Sequence, residues 1–310
     1  MTASYYLIEF ATYVFACGCW YSAYRNGRRW LSTVVAATLF GLSAEIYFLY
    51  SEHASLQGAH YSYGQFIAMV GWGQYKVPLW VGLGWGCIAY ACVWTAGLLT
   101  KRISVIATIA GLLAMNIDLS LDPVAQHFGF WTWHNVPQLS YFGVPFDNFL
   151  GWVMIIGGYA WALTLLERRV PASWKGQDFW VPMVALVPAL VVTVVGQQLL
   201  NWTYRIAGNQ AIPFVLICGA LTAFAIYYGV AADRNGRPQW VIVALPVYFH
   251  GVQLSLLLFA GGYRALPALI VVIPVSLFVG FTVTAWPYLD RIFPETARQN
   301  NLHTDELPRP

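Results

Sequence analysis

Charged residues are scarce in this chain. Only 9% of its 310 residues are Asp, Glu, Lys or Arg, while 59% are hydrophobic, and a soluble domain carries about 25% charged residues. This balance argues against a soluble enzyme and predicts a protein of the lipid bilayer. The net charge of +3 comes from short, separated basic clusters, which do not form the continuous basic surface of a nucleic-acid-binding protein.

Common catalytic and cofactor motifs are also missing. The sequence has no Walker A loop, no GxGxxG step, no HExxH motif and no magnesium-binding acid pair accompanied by basic ligands for a diphosphate. Its five cysteines all fall inside long apolar runs, where cysteine usually acts as a small hydrophobic residue. We therefore predict neither a cofactor, nor a metal site, nor disulfides.

Long apolar runs are what the chain has instead. A helix needs about 20 apolar residues to cross a bilayer. We predict an all-α integral membrane protein, a bundle of about nine transmembrane helices, or eight if the first run, which Glu9 interrupts, does not span. The predicted spans are residues 5–23, 31–50, 78–99, 103–119, 148–166, 179–200, 211–231, 240–260 and 266–286.

The basic residues predict the orientation of these spans, because cytoplasmic connections collect Lys and Arg. Thirteen of the 16 basic residues fall on odd-numbered connections or the C-terminal tail, so we predict the N-terminus outside and the C-terminus inside. Residues 1–290 then form one membrane domain, residues 291–310 a polar cytoplasmic tail, and a bacterial inner membrane is the expected location. The outer face keeps only Lys76, Arg205 and Arg264, which argues against transfer from a prenyl diphosphate.

Two nine-residue stretches align without a gap, VPLWVGLGW at 77–85 and VPFDNFLGW at 144–152. Each follows an outer loop with an aromatic-x-aromatic step, and each loop follows a helix with an acid near its outer end. The pattern predicts a parallel repeat of two helices, of a kind found in membrane proteins with sites near the midplane. Shared helix-start chemistry, with Pro in the first turn and Trp near the interface, is the alternative explanation.

Acidic residues inside the spans are the first candidates for catalysis, because burying an ionised group in hydrocarbon costs at least ~2.5 kcal/mol. We predict Glu45, Asp118 and Asp122 as the catalytic residues; the two aspartates are one helical turn apart. Two structural alternatives stay open. In the first alternative, Asp118 is a buried acid that bonds to a neighbouring helix. In the second, Asp122 is the N-cap of a short interfacial helix that begins at Pro123.

Aromatic and polar residues on the same side are predicted to bind the substrate. Interfacial belts explain part of the 17% aromatic content, but not its concentration in two outer loops. Ring faces attract cations, and burial helps an acid to keep its proton, so this set suits the protonation of a carbon-carbon double bond. The predicted substrate-binding residues are Asn148, Trp131, Trp133, Tyr61, Tyr63, Tyr141, His60 and Asp147.

Two of the polar residues also have ordinary structural explanations. Asp147 stands near the start of the fifth span, where an acid commonly serves as the N-cap. His250 lies in the middle of the eighth span, and we predict an interior histidine that is bonded to its neighbours.

Two segments resemble a known family. LSLDPVAQHFGFWTW at 119–133, followed by YFGVPFDNFLGW at 141–152, is similar to the polytopic carotenoid biosynthesis proteins that include bisanhydrobacterioruberin hydratase and bacterial carotenoid 1,2-hydratases. The resemblance covers about residues 40–155. It implies cofactor-free addition of water to a terminal double bond of a lipophilic isoprenoid or carotenoid, by a hydro-lyase embedded in membrane lipid.

Other functions remain open from the residues themselves. If water were excluded, the same carbocation would lose a proton or react with an internal alkene, which describes a terpene or carotenoid cyclase or isomerase. A different class is a transporter or a pigment-binding membrane subunit that uses the repeat and its polar cavity for passage or docking. A transporter needs polar residues through both halves of the bilayer, and the inner halves of the predicted spans hold almost none.

Overall fold

The computed structural model describes residues 3–55, 60–171, 173–229 and 239–288. The predicted polar tail lies outside these ranges. Within them the chain forms ten α-helices and four short β-strands. The helices are α1 (Ala3–Arg25), α2 (Arg28–Ser55), α3 (Leu79–Leu99), α4 (Ile103–Phe128), α5 (Phe146–Arg169), α6 (Gln177–Val184), α7 (Leu186–Ala207), α8 (Ala211–Gly229), α9 (Trp240–Phe259) and α10 (Leu269–Ala285). The strands are β1 (His60–Tyr63), β2 (Met69–Trp72), β3 (Tyr75–Pro78) and β4 (Trp131–His134).

Eight helical segments of the described chain are long and apolar enough to cross a membrane, with α6 and α7 counted as one segment. The predicted all-α integral membrane fold is therefore confirmed. The segment made of α6 and α7 is interrupted after Val184. In a regular helix the ring of Pro188 would clash with the carbonyl group of Val184, four residues earlier. The first predicted span is helical as α1 but is not among the eight.

A buried acid explains the polar character of α1. Glu9 is fully buried and accepts hydrogen bonds from the backbone N–H groups of Ile67 and Ala68, both at 3.0 Å, and from the Tyr13 hydroxyl at 2.7 Å. Tyr5, one turn earlier, donates to the carbonyl of Gly129. The polar side chains of α1 therefore fasten this helix to the loops that follow α2 and α4.

The two VPxxxxLGW stretches have equivalent structures. Helix α3 begins directly after Pro78 (φ −59°, ψ 134°), and α5 begins directly after Pro145 (φ −62°, ψ 141°). The loops before them meet in an antiparallel sheet of β1 and β4. Antiparallel strands are related by a local two-fold axis, so the sequence repeat coincides with a structural repeat of helix, aromatic strand and helix.

Helices α4 and α5 pack closely because of glycine at two contact points. A Cβ atom on Gly111 would lie 2.7 Å from the carbonyl oxygen of Val153, and one on Gly157 would lie 2.9 Å from that of Ala107. Helix α3 lies in the centre of the bundle and has no exposed residue, whereas α8 lies at the edge of the bundle and buries only two of its residues, Pro213 and Gly229. The close pair and the central helix together hold the aromatic sheet at one end of the bundle, which we call the loop end.

The helix through Asp122 differs from the prediction. The sequence alternative made Asp122 the N-cap of a separate interfacial helix, but α4 continues through Asp122 and Pro123 to Phe128, so that prediction is wrong. Proline removes one backbone hydrogen bond, and the burial of Ser120 to Ala125 on the neighbouring helices holds the segment helical. Asp122 therefore keeps the helical spacing that places it beside Asp118.

Candidate active site

Glu45 lies in a cage of three hydrogen-bond donors. The Trp85 indole N–H donates to Oε1 at 2.9 Å, the Tyr63 hydroxyl donates to Oε2 at 2.9 Å, and the Tyr61 hydroxyl donates to the same Oε2. These donors come from two elements, α3 and β1, and converge on one carboxyl group of α2. Both carboxyl oxygens of Glu45 therefore accept hydrogen bonds, and these bonds fix the orientation of the side chain.

A second acidic group faces Glu45 from α4. Asp118 and Asp122 are both buried, and the side-chain amide of Asn148 donates from one nitrogen to Oδ2 of each, at 2.8 Å to Asp118 and at close range to Asp122. Oδ1 of Asp118 is buried and has no hydrogen-bond partner among the described residues. Asn148 thus bridges two neighbouring carboxyl groups, which confirms that Asp118 bonds to a neighbouring helix.

The aromatic side chains are positioned by the pairing of β1 with β4. Tyr61 lies opposite Trp133 and Tyr63 opposite Trp131, with ring centroids 4.8 Å and 5.8 Å apart. Alternate residues of a strand point to the same face, so all four rings cover the same side of the sheet. Cross-strand aromatic pairs of this kind stabilise a two-stranded sheet.

Tyr63 is partly buried, and its hydroxyl stands close to the acids. Burial raises the pKa of its phenol well above the usual range, and the negative charges of Glu45 and Asp122 raise this pKa further. Tyr63 therefore remains a neutral hydrogen-bond donor over the whole physiological pH range.

These residues surround a cavity of about 60 Å³. Seven predicted site residues line it: Glu45, Asp122, Asn148, Tyr61, Tyr63, Trp131 and Trp133. The remaining wall is largely aromatic and aliphatic. The indole N–H groups of Trp80 and Trp133 are buried there and have no hydrogen-bond partner among the described residues. The cavity therefore combines two acids, one amide and two unpaired donors within an apolar wall.

A larger groove of about 510 Å³ adjoins this cavity and lies between α2, α5 and α7. The two spaces share six lining residues: Glu45, Tyr61, Trp85, Trp133, Asn148 and Trp152. Asp147, a predicted substrate-binding residue, lines the groove and not the inner cavity.

Three predicted site residues line neither the cavity nor the groove. Asp118 stands behind Asn148, and Tyr141 packs with Val144 and Phe149. His60 stacks on His134 with ring centroids 5.0 Å apart. Because side chains alternate along a strand, His60 points to the face opposite Tyr61, where Ser62 bonds to His134 at 3.0 Å. Placing His60 beside Tyr61 and Tyr63 thus conflicted with the period of the strand.

The alternative explanations for Asp147 and His250 have different outcomes. The N-cap of α5 is Pro145, so the prediction of Asp147 as N-cap is wrong. The first free N–H of this helix, on Phe146, instead donates to the side chain of Gln210 at 3.1 Å. The prediction for His250 is confirmed, since its ring nitrogens contact Ser120 at 2.7 Å and Asn116 at 3.1 Å.

Sequence reasoning missed the tryptophans of the repeated motif. Trp85 bonds to Glu45, and its ring stacks on Trp152 with centroids 4.3 Å apart. Trp80 stacks on Trp131 at 6.0 Å. The signal was present, because two of these residues end the two motif copies, but we attributed them to the membrane interface. Among the described residues, no three His, Cys, Asp or Glu side chains are grouped as a metal site.

The fold and this site define a polytopic membrane protein with an acidic, aromatic-walled cavity at one end of the helix bundle. The model of one family, described as carotenoid biosynthesis protein, matches residues 3–226. The chain therefore belongs to the carotenoid biosynthesis protein family, which gives it a role in carotenoid metabolism. No curated protein and no solved structure matches the chain significantly. The family match extends well beyond residues 40–155, where the resemblance of the motifs was recognised.

Proposed function

We propose that this protein adds water to a terminal carbon-carbon double bond of a carotenoid or another lipophilic isoprenoid. The observation that carries the proposal is the shared cavity. Glu45, Asp122 and Asn148 line one aromatic-walled space of about 60 Å³, so a reacting group that enters it lies beside both acids. The groove between α2, α5 and α7 supports access from the lipid for a long apolar molecule.

The first step is protonation of the double bond, and we assign it to Asp122. Two carboxyl groups that share one amide donor repel each other when both are ionised, so the pair is suited to hold a proton. After Asp122 gives its proton to the alkene, the Asn148 amide stabilises the carboxylate that remains. Asp118 lies behind this contact and positions Asn148.

The second requirement is stabilisation of the tertiary carbocation. Trp131, Trp133, Tyr61 and Tyr63 line the cavity on one side, and the faces of such rings attract a cation by about 0.5–2 kcal/mol each. An aromatic wall also excludes competing nucleophiles. These rings are therefore the groups that lengthen the lifetime of the cation until water reaches it.

The third step is attack by water, with Glu45 as the base. The water oxygen bonds to the cationic carbon, and one water proton passes to Glu45, whose oxygens are already oriented as acceptors. Tyr63 bonds to Glu45 and lines the same cavity as Asp122, so we assign it the return of the proton to Asp122. The net change is the addition of one water molecule, and both acids are restored.

Cyclisation or isomerisation is the second candidate function. The wall of the cavity is mostly aromatic and aliphatic, and a cation that meets no water there loses a proton or adds to an internal alkene. Transport through the bilayer has less support, because the acids and amides of the site are gathered at the loop end.

Expression in a carotenoid-producing host, with mass analysis of the extracted pigments, tests the proposal. Hydration adds the mass of one water molecule to the product. An unchanged mass with a new retention time means cyclisation or isomerisation, and it contradicts hydration. Pigments that are identical to those of the empty host contradict both reactions. The matched control is the same host carrying the Glu45→Gln variant.

A further inference from the structure

A polar stripe runs along the inner face of α7. Thr193, Gln197 and Asn201 follow one another at intervals of four residues, so they share one face of the helix. All three line the groove that adjoins the acidic cavity. The opposite face of α7 carries apolar residues such as Val195 and Leu199, which are exposed toward the lipid.

Two members of this stripe lack the partners that a membrane interior demands. The side chains of Gln197 and Asn201 are half-buried in the groove and make no hydrogen bond to any described residue. A polar group in an apolar environment costs free energy unless it is hydrogen-bonded. Both amides are therefore free to bond to a molecule inside the groove, and the best-suited molecule offers both donors and acceptors, because an amide has both.

The stripe leads directly to the reacting groups. The groove that holds Gln197 and Asn201 also contains Glu45, Asn148 and Trp152. Helix α7 packs antiparallel along α5, where Gly196 contacts Met154 and Val192 contacts Gly158. Gln197 therefore lies about two turns below the start of α5, at the depth of Trp152, whose ring stacks on the Trp85 that binds Glu45.

We propose that the stripe of Thr193, Gln197 and Asn201 binds water and delivers the molecule that attacks the carbocation. This inference rests on the proposed function, because hydration consumes one water at each turnover. The aromatic wall offers few polar contacts, whereas two adjacent amides can hold an ordered water at low cost. The apolar residues of the same groove hold the polyene, so water and alkene reach Glu45 from different walls.

The water stripe determines what happens to the cation. When a water molecule stands next to Glu45, its oxygen bonds to the cationic carbon and its proton passes to Glu45. When the water is absent, Glu45 removes a proton from a carbon beside the cation, and an isomerised alkene of unchanged mass leaves the site. Both outcomes start from the same protonation by Asp122, so the ratio of the two products reports on water delivery alone.

The test compares product ratios of Gln197→Leu and Asn201→Leu with the wild type in a pigment-producing host. We expect the ratio of hydrated to isomerised product to fall about tenfold in each variant, the change expected for the loss of one hydrogen bond to the attacking water. Thr203→Val is the matched control, because this threonine lies on the same helix and bonds to the carbonyl of Leu200 at 2.7 Å, outside the groove. The ratio is independent of the amount of folded protein.

Each outcome separates this inference from the proposed function. A wild type that makes hydrated pigment, together with unchanged ratios in both stripe variants, overturns the water stripe and leaves hydration intact. A stripe variant that is present in the membrane and consumes no substrate places its residue in the protonation step, and that also overturns the inference. A wild type that makes no hydrated pigment overturns the proposed function itself.

Discussion

The indole rings of Trp85 and Trp152 stack with centroids 4.3 Å apart and an interplanar angle of 30°. They are the last residues of the two aligned motifs, so the two copies of the repeat contact each other through equivalent residues. Trp85 donates to Glu45, and both rings line the acidic cavity as well as the groove between α2, α5 and α7. The stacked pair therefore stands where the cavity and the groove meet.

The Glu45→Gln variant tests the base. Glutamine keeps the size of the side chain but cannot accept a proton, so we expect product formation to fall by at least about 100-fold, the lower bound for loss of a general base. The measurement is pigment formed per amount of protein in the membrane. Glu167→Gln is the control. Glu167 accepts a hydrogen bond of 2.7 Å from Arg29 and does not line the cavity. Full activity of Glu45→Gln removes this residue from the mechanism.

The two aspartates of α4 are predicted to differ. Asp122 lines the cavity and Asp118 stands behind Asn148, so Asp122→Asn should abolish product formation, while Asp118→Asn should leave a residual rate. Both replacements keep the size of the side chain. Rates are compared at equal protein level in membranes. A larger loss for Asp118→Asn than for Asp122→Asn would reverse the assignment of the acid.

Replacing Trp85 by phenylalanine tests the cage around Glu45. The variant keeps an aromatic ring stacked against Trp152, but it removes the indole N–H that donates to Glu45 at 2.9 Å. A hydrogen bond to a charged group contributes about 1.5–3 kcal/mol, so we expect a loss of activity of roughly 10- to 100-fold. Trp94→Phe removes a comparable indole bond, to Tyr288 at 3.2 Å, and should leave activity unchanged. Equal effects of both replacements would indicate a general packing defect.

The close contact of α4 and α5 predicts a stability difference between two glycines. A methyl group at Gly111 meets the Val153 backbone at 2.7 Å, whereas one at Gly97 meets nothing within 4 Å. Gly111→Ala should therefore destabilise the protein by about 1–3 kcal/mol, and Gly97→Ala should leave it unchanged or stabilise it by up to ~1 kcal/mol. Thermal unfolding in detergent measures both. A stable Gly111→Ala variant would mean that the helices separate at no cost.

The sequence predicted the helices well and singled out three polar residues that line the cavity, because apolar runs and buried acids are local signals. Glu45, Asp122 and Asn148 were found because an ionisable or amide side chain is costly inside a span. The helix through Pro123 was predicted wrongly, because burial by neighbouring helices decides whether proline ends a helix there.

Contacts between distant segments were beyond local patterns. The pairing of Tyr61 with Trp133 joins two loops that are separated by α3 and α4, and no periodicity within either loop predicts it. The bond from Trp85 to Glu45 depends on the same assembly of helices. The aligned motifs were the one sequence signal of this arrangement, since equivalent segments of a repeat meet around a common axis.

The central claim is that water supplies an oxygen atom to the terminal carbon of the substrate. The most direct measurement is growth of the pigment-producing host in water labelled with heavy oxygen, followed by mass spectrometry of the pigment that appears only when this protein is expressed. Our account predicts a hydroxylated pigment that carries the label, absent from cells with the Glu45→Gln variant. A new pigment with the mass of the unmodified substrate and no label would contradict it.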